Sequence, residues 1–149
     1  MNLYSLAEIK LSYSSNIPAD NRHKVTDSKS AYAILKSIWN EETIELKEQF
    51  KVLFLNRANE VLGIHNLSIG GTSATVVDSR LIFAAAILSN ASAIIMAHNH
   101  PSCNLKPSDA DISLTDQVCE AGELLGIKVF DHLIITKNYY YSFADEGKI

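Results

Sequence analysis

The chain reads as short apolar runs separated by polar turns, with helical spacing between some of them. Leu3 to Tyr13 carries an alternating Ile9, Leu11, Tyr13 and predicts either an edge strand or a loose arm. Ser14 to Thr26 is polar, contains Pro18 and reads as a loop. Asp27 or Ser28 can cap a helix running through Trp39, with Ala31, Ile34, Leu35 and Ile38 on one face and Trp39 as packing. Phe50 to Leu55 and Val61 to Ile69 predict a hairpin turning at Asn56–Asn59. Gly70-Gly71-Thr72 marks a corner too short and too unlike a phosphate cradle to bind a nucleotide. Asp78 or Ser79 caps a helix, Arg80 to Ser89, apolar nearly all round and so expected to be well buried. Ala91 to Ala97 is a buried strand by its length and apolarity. From Ser108 the spacing of Ile112, Leu114, Val118, Ala121, Leu124 and Leu125 is helical, and Gly126 ends the helix. Ile127 to Thr136 and Tyr139 to Phe143 predict two paired strands. This order predicts an α/β domain with a mixed sheet flanked by helices.

The candidate chemistry lies where the Ala91–Ala97 strand ends. Side chains alternate along a strand, so His98 and His100 leave on one face and Asn99 on the other. Two imidazoles on one face can reach a single ion. Ser108 fits a helix N-cap, with Asp109 and Asp111 in the first turn, where the helix dipole favours negative charge. Asp111 opens the face that runs through Leu114, Val118 and Leu125, and so is expected to point inward towards the histidines. Two His and one carboxylate are three protein ligands, which suits a zinc ion with an open position. A Ser-x-x-Asp pair at a helix start also serves as a capping box with no further role. Conjunction with His-x-His, rather than either feature alone, favours a metal site.

His98-x-His100, seven residues, then Ser108-x-x-Asp111 resembles the JAMM (MPN+) metalloprotease motif. Ala97-His98-Asn99-His100-Pro101-Ser102, Pro107-Ser108 and the later Val129 to Ile135 are similar to the JAB domain of the RadC family, over about residues 28–143. The resemblance implies a single JAB/MPN-like, cytidine deaminase-like three-layer domain over 28–149, preceded by an arm or edge strand over 1–27. It implies zinc on His98, His100 and Asp111, and an oxyanion contact from Ser108. Hydrolysis also needs a carboxylate that moves the proton of the attacking water without binding the metal. The residues alone leave Glu41, Glu42, Glu45 and Glu48 open for that part. The family sets its general base in a Glu-x-Phe-x-Val-Leu-x-Leu context, which Glu48 to Leu55 matches, so the resemblance assigns Glu48. The implied reaction is cleavage of a peptide or isopeptide bond. Where the family usually carries glycine, this chain has Cys103; the glycine suits a tight turn, and a thiol there could instead ligate zinc and fill the open position. His65 is expected at the surface, and His132, beside Asp131, as a structural, hydrogen-bonded residue.

Composition adds bounds. With 149 residues, 47% hydrophobic and 20% charged, the chain is one globular domain by size. Net charge is −4 with scattered Lys and Arg, which gives no support for a broad nucleic-acid surface. Full-length RadC proteins carry a helix–hairpin–helix region associated with DNA binding, and residues 1–27 hold no such pattern. Two cysteines, Cys103 and Cys119, suggest no disulfide framework. No signal pattern or spanning run is present, so a cytoplasmic protein away from membranes is expected. Three functions follow: a zinc amidase or peptidase acting on a protein or peptide, a RadC-type DNA repair-associated factor acting on or near nucleic acid, and an inactive MPN-type scaffold. Oligomeric state is not legible.

Overall fold

The computed structural model describes residues 5–69 and 76–149, with the backbone alone for 68 and 69. In chain order the elements are α1 (Ser28–Ile38), β1 (Gln49–Leu55), β2 (Val61–Ile69), α2 (Ser79–Leu88), β3 (Ala93–Asn99), α3 (Asp109–Leu125), β4 (Lys128–Ile135) and β5 (Tyr140–Ser142). The strands form one sheet in the order β2-β1-β3-β4-β5. β3 and β4 run parallel, joined by α3 as the crossover, and the other neighbouring pairs are antiparallel. The predicted Gly70-Gly71-Thr72 corner lies outside the described residues.

Both faces of the sheet are covered, which is why β3 is buried at every position and apolar as far as His98. On one face Leu53, Leu55, Ile95, Ala97, Leu133 and Ile135 pack with Ala31 and Leu35 of α1 and with Trp39. On the other, Val52, Phe54, Ile94 and Met96 pack with Ile82, Phe83 and Ala86 of α2 and with Val118 of α3. The result is the three-layer α/β arrangement with a mixed sheet that the pattern and the resemblance predict.

The helices differ from expectation in which faces they bury. Asp27, not Ser28, caps α1: its carboxylate accepts the Ser30 N–H at 2.7 Å. Trp39 packs in the core, with the Lys51 ammonium 5.0 Å from its ring centre. α2 is not buried all round. Ile82, Phe83 and Ala86 face the sheet, while Leu81, Ile87 and Leu88 stay largely exposed. An outer-layer helix has one covered stripe, and extra apolar residues do not widen it. In α3 the buried positions are Thr115, Val118 and Gly122, whereas Leu124 is 87% exposed and Leu125 48%. Gly122 is obligatory in a steric sense, because a Cβ there would come within 2.3 Å of the Ile127 carbonyl oxygen.

The arm forms no strand in residues 5–15, and Leu6, Ile9 and Leu11 are exposed. The Tyr13 hydroxyl donates to the Leu62 carbonyl at 3.0 Å. The chain joins the sheet margin at His23–Val25, where Val25 donates to the Asn59 carbonyl and accepts a place in the core.

Leu133 and Leu124 separate the buried from the apparent core. Leu133→Ala is expected to cost about 2–5 kcal/mol in denaturant unfolding. Leu124→Ala should stay within about 0.5 kcal/mol, as surface substitutions do.

Candidate metal centre

β3 supplies the two histidines. The register sets Phe50 of β1 opposite His98, and their rings stack at 5.9 Å with a 7° interplanar angle. His98 is buried. His100 follows one step past the strand end, its N–H donating to the Ile135 carbonyl at 3.1 Å. The His100 Nδ1 lies 2.6 Å from the Asn104 carbonyl oxygen. A carbonyl only accepts, so Nδ1 carries the proton and Nε2 is left to face the site. The two Nε2 atoms of His98 and His100 are 3.0 Å apart.

α3 supplies Asp111. Ser108 is the N-cap: its hydroxyl accepts the Asp111 N–H at 3.0 Å, and Asp111 Oδ2 accepts the Ser108 N–H at 2.8 Å. This reciprocal capping box aims the carboxylate at β3. Asp111 Oδ1 lies 3.2 Å from His98 Nε2, and Oδ2 lies 3.2 Å from His100 Nε2. Burial alone would raise the Asp111 pKa, but the closeness of the His100 and His98 imidazoles, with the bond from the Ser108 N–H, holds it far below the usual carboxylate range. Burial opposes charge on His100 as well, and there the bonds to Asp111 and Asn104 outweigh it and raise the pKa.

Glu48 directly precedes β1, its side chain 12% exposed and its Oε1 3.9 Å from His98 Nε2. Glu41, Glu42 and Glu45 are exposed to solvent. Among the described residues, Glu48, His98 and His100 each place one donor atom within 4.8 Å of the others, a group able to hold a metal ion. The sequence does not reveal what holds Glu48 there. Asn99, on the opposite face of β3, accepts the Gln49 N–H at 2.7 Å and donates to the carbonyls of Ile44 at 2.7 Å and Lys47 at 2.9 Å. One buried amide thus ties down the segment that leads into Glu48.

A cleft of about 620 Å³ opens over these groups, lined by Glu48, His98, His100, Ser108 and Asp111. That volume is in the range of small-ligand sites. Cys103 is exposed and does not fold inward; its φ of 63° shows the left-handed turn for which glycine is suited. His65 is exposed. His132, expected to be a hydrogen-bonded structural residue, is fully buried, with its Nε2 2.8 Å from His98 Nδ1 and its Nδ1 2.7 Å from Thr115 Oγ1. Burial pushes the His132 pKa well below the ordinary imidazole value. Asp131 turns elsewhere, bonding to Ser142, the Ala144 N–H and the His132 N–H. No helix among the described residues is long and apolar enough to cross a membrane.

The model of the RadC-like JAB domain matches residues 25–148. A UPF0758 protein of Flavobacterium johnsoniae is 47% identical over 124 residues, covering 83% of this chain and 53% of its own length. One from Porphyromonas gingivalis is 45% identical over 127 residues, 85% of this chain and 55% of that protein. A third, from Methanosarcina acetivorans, is 38% identical over 126 residues, 85% and 54% respectively. The chain therefore spans about half the length of these curated relatives, whose names state no activity.

Asn99→Ala removes the clamp on the Glu48 segment without touching a histidine. Amide hydrogen exchange at Gln49 is expected to accelerate, with a stability loss of about 1–3 kcal/mol from the carbonyls and N–H left unpaired.

Proposed function

The chain belongs to the RadC-like JAB domain family, and from that premise we propose that it is a zinc-dependent hydrolase of amide bonds, peptide or isopeptide. One observation carries the reading. His98 Nε2 and His100 Nε2 stand 3.0 Å apart, and the Asp111 carboxylate lies 3.2 Å from each, through Oδ1 to His98 and Oδ2 to His100. Ligands about 2.0–2.1 Å from a tetrahedral zinc ion stand roughly 3.3–3.4 Å from one another, so the donor set fits the ion closely. Three protein ligands leave a fourth position open, the mark of a catalytic rather than a structural site. Glu48, at 3.9 Å from the nearer imidazole, is close to the ligand set but further out than Asp111.

Bound there, zinc would supply Lewis-acid activation of water and of the scissile carbonyl. The chain's own groups do the rest. Glu48 takes the proton of the attacking water and passes it to the departing amine, which otherwise leaves poorly. Ser108 uses its oxygen to accept the Asp111 N–H, so its hydroxyl proton remains to donate to the carbonyl oxygen as that oxygen gains charge. Phe50, stacked on His98, keeps water from that side of the ring. The cleft walls also include Val77, Pro101 and Leu114, apolar surface suited to the side chains of a polypeptide substrate. The exposed, unpaired Cys103 and the unpaired Cys119 fit a reducing, cytoplasmic setting.

Elemental analysis of protein prepared without chelator is expected to find about one zinc per chain in the wild type and little in Asp111→Ala, as the three-ligand set requires. Glu48→Gln should keep its zinc and lose at least about 100-fold in turnover on a peptide library. Ser108→Ala should lose about 100-fold in kcat. Zinc lost from Glu48→Gln and kept by Asp111→Ala would exchange the two carboxylates' roles. A wild type that takes up no zinc after add-back would remove the hydrolase reading.

A further inference from the structure

We infer that His132 and Thr115 form a one-way hydrogen-bond relay that holds a proton on His98 Nδ1 and so turns His98 Nε2 towards an incoming cation. The direction follows from one group that cannot donate. Thr115 Oγ1 lies 2.7 Å from the Asp111 backbone carbonyl, four residues back along α3. A hydroxyl has one proton, and a carbonyl oxygen only accepts, so that proton is committed. Thr115 Oγ1 can then only accept from His132 Nδ1, 2.7 Å away.

His132 is enclosed by protein on every side. Its ring stacks on Phe143 at 5.0 Å, with Phe50 tilted against it at 5.6 Å. Its ring nitrogens contact His98 and Thr115, and no carboxylate among the described residues is seen bonded to either. A charge so enclosed and unpaired is costly, so the ring stays neutral with a single proton. With that proton on Nδ1, Nε2 is bare and accepts from His98 Nδ1 at 2.8 Å. His98 Nδ1 therefore carries a proton, and its Nε2 points at Asp111 Oδ1 and His100 Nε2. His100 is held the same way by the Asn104 carbonyl. In both ligand imidazoles the proton on Nδ1 is thus held on the side away from the site, one by a backbone carbonyl directly and the other through two side chains.

The relay also closes on itself. It starts at His98 and ends on the main chain of Asp111, and these two residues face each other across the site. Thr115 and His132 are thus positioning residues: they touch neither the ion nor substrate. Loss of such outer partners typically weakens metal affinity 10–100-fold. The purpose of the relay rests on the metal reading above; its direction does not.

Two measurements test it. In nitrogen-15 histidine-labelled protein, long-range proton–nitrogen correlation spectra should show His132 protonated at Nδ1 and bare at Nε2, both metal-free and with zinc. His132 protonated at Nε2 would overturn the relay even if zinc binds. In zinc titrations against a chromophoric chelator, Thr115→Val should raise Kd about 10–100-fold, and Thr115→Ser, which keeps the hydroxyl, should stay within about twofold of wild type. A valine variant that binds zinc as the wild type does would also overturn it. Should that variant fail to fold, the wild-type ring pattern decides. A wild type that binds no zinc but shows the Nδ1–H ring would remove the metal reading, and with it the relay's purpose, while leaving its direction established.

Discussion

The carboxylate of Asp111 is committed twice, and the site depends on that. As the third residue of α3 it closes the capping box with Ser108, and as an inward group it faces both imidazoles. The first commitment removes the rotamer freedom that the second would otherwise have to overcome. It also joins local folding to site assembly: the N-terminal turn of α3 cannot form its cap without delivering the carboxylate to the end of β3. The neighbouring imidazoles of His100 and His98, with the Ser108 N–H, keep that carboxylate ionised in a partly buried place.

β3 works on both of its faces at once. His98 leaves towards α3, and Asn99 leaves towards the segment that ends in Glu48. A one-residue slip in register would send the imidazole into the α1 side and the amide into the cleft, so the buried apolar run Ala93 to Ala97 is what holds the chemistry in place. That run packs against helices on both sides, which makes the slip expensive. The precision of the site is thus borrowed from the ordinary hydrophobic core.

Much of this was legible in the sequence because it is local. An apolar run followed by His-x-His, and Ser-x-x-Asp before a helical spacing, are patterns spanning a few residues each. The order of elements and the pairings of β1 with β2 and of β4 with β5 followed from similar short-range signals. The helix faces were less legible: Leu81, Ile87, Leu124 and Leu125 look like core by residue type, yet no second layer reaches them among the described residues. Thr115 and His132 could not be found by spacing. They meet His98 because β3 and β4 pair in parallel, with Met96 beside His132, and because α3 lies over that pair. A polar residue on a strand carries no mark of the partner chosen for it across a long crossover. Asn99 was placed on the correct face, but the backbone groups it binds lie about fifty residues away in the chain and gave no signal.

Gly122 lies three turns along α3 from Asp111, on the same buried face. At 1.5 Å per residue the two are about 16 Å apart. The missing side chain lets the far end of the helix settle against the Ile127 carbonyl, and a rigid helix transmits the height of one end to the other. The tilt of α3, and so the reach of the Asp111 carboxylate, is calibrated at its opposite end like a beam on a fulcrum. Remoteness from the cleft is therefore a poor guide to which substitutions spare it.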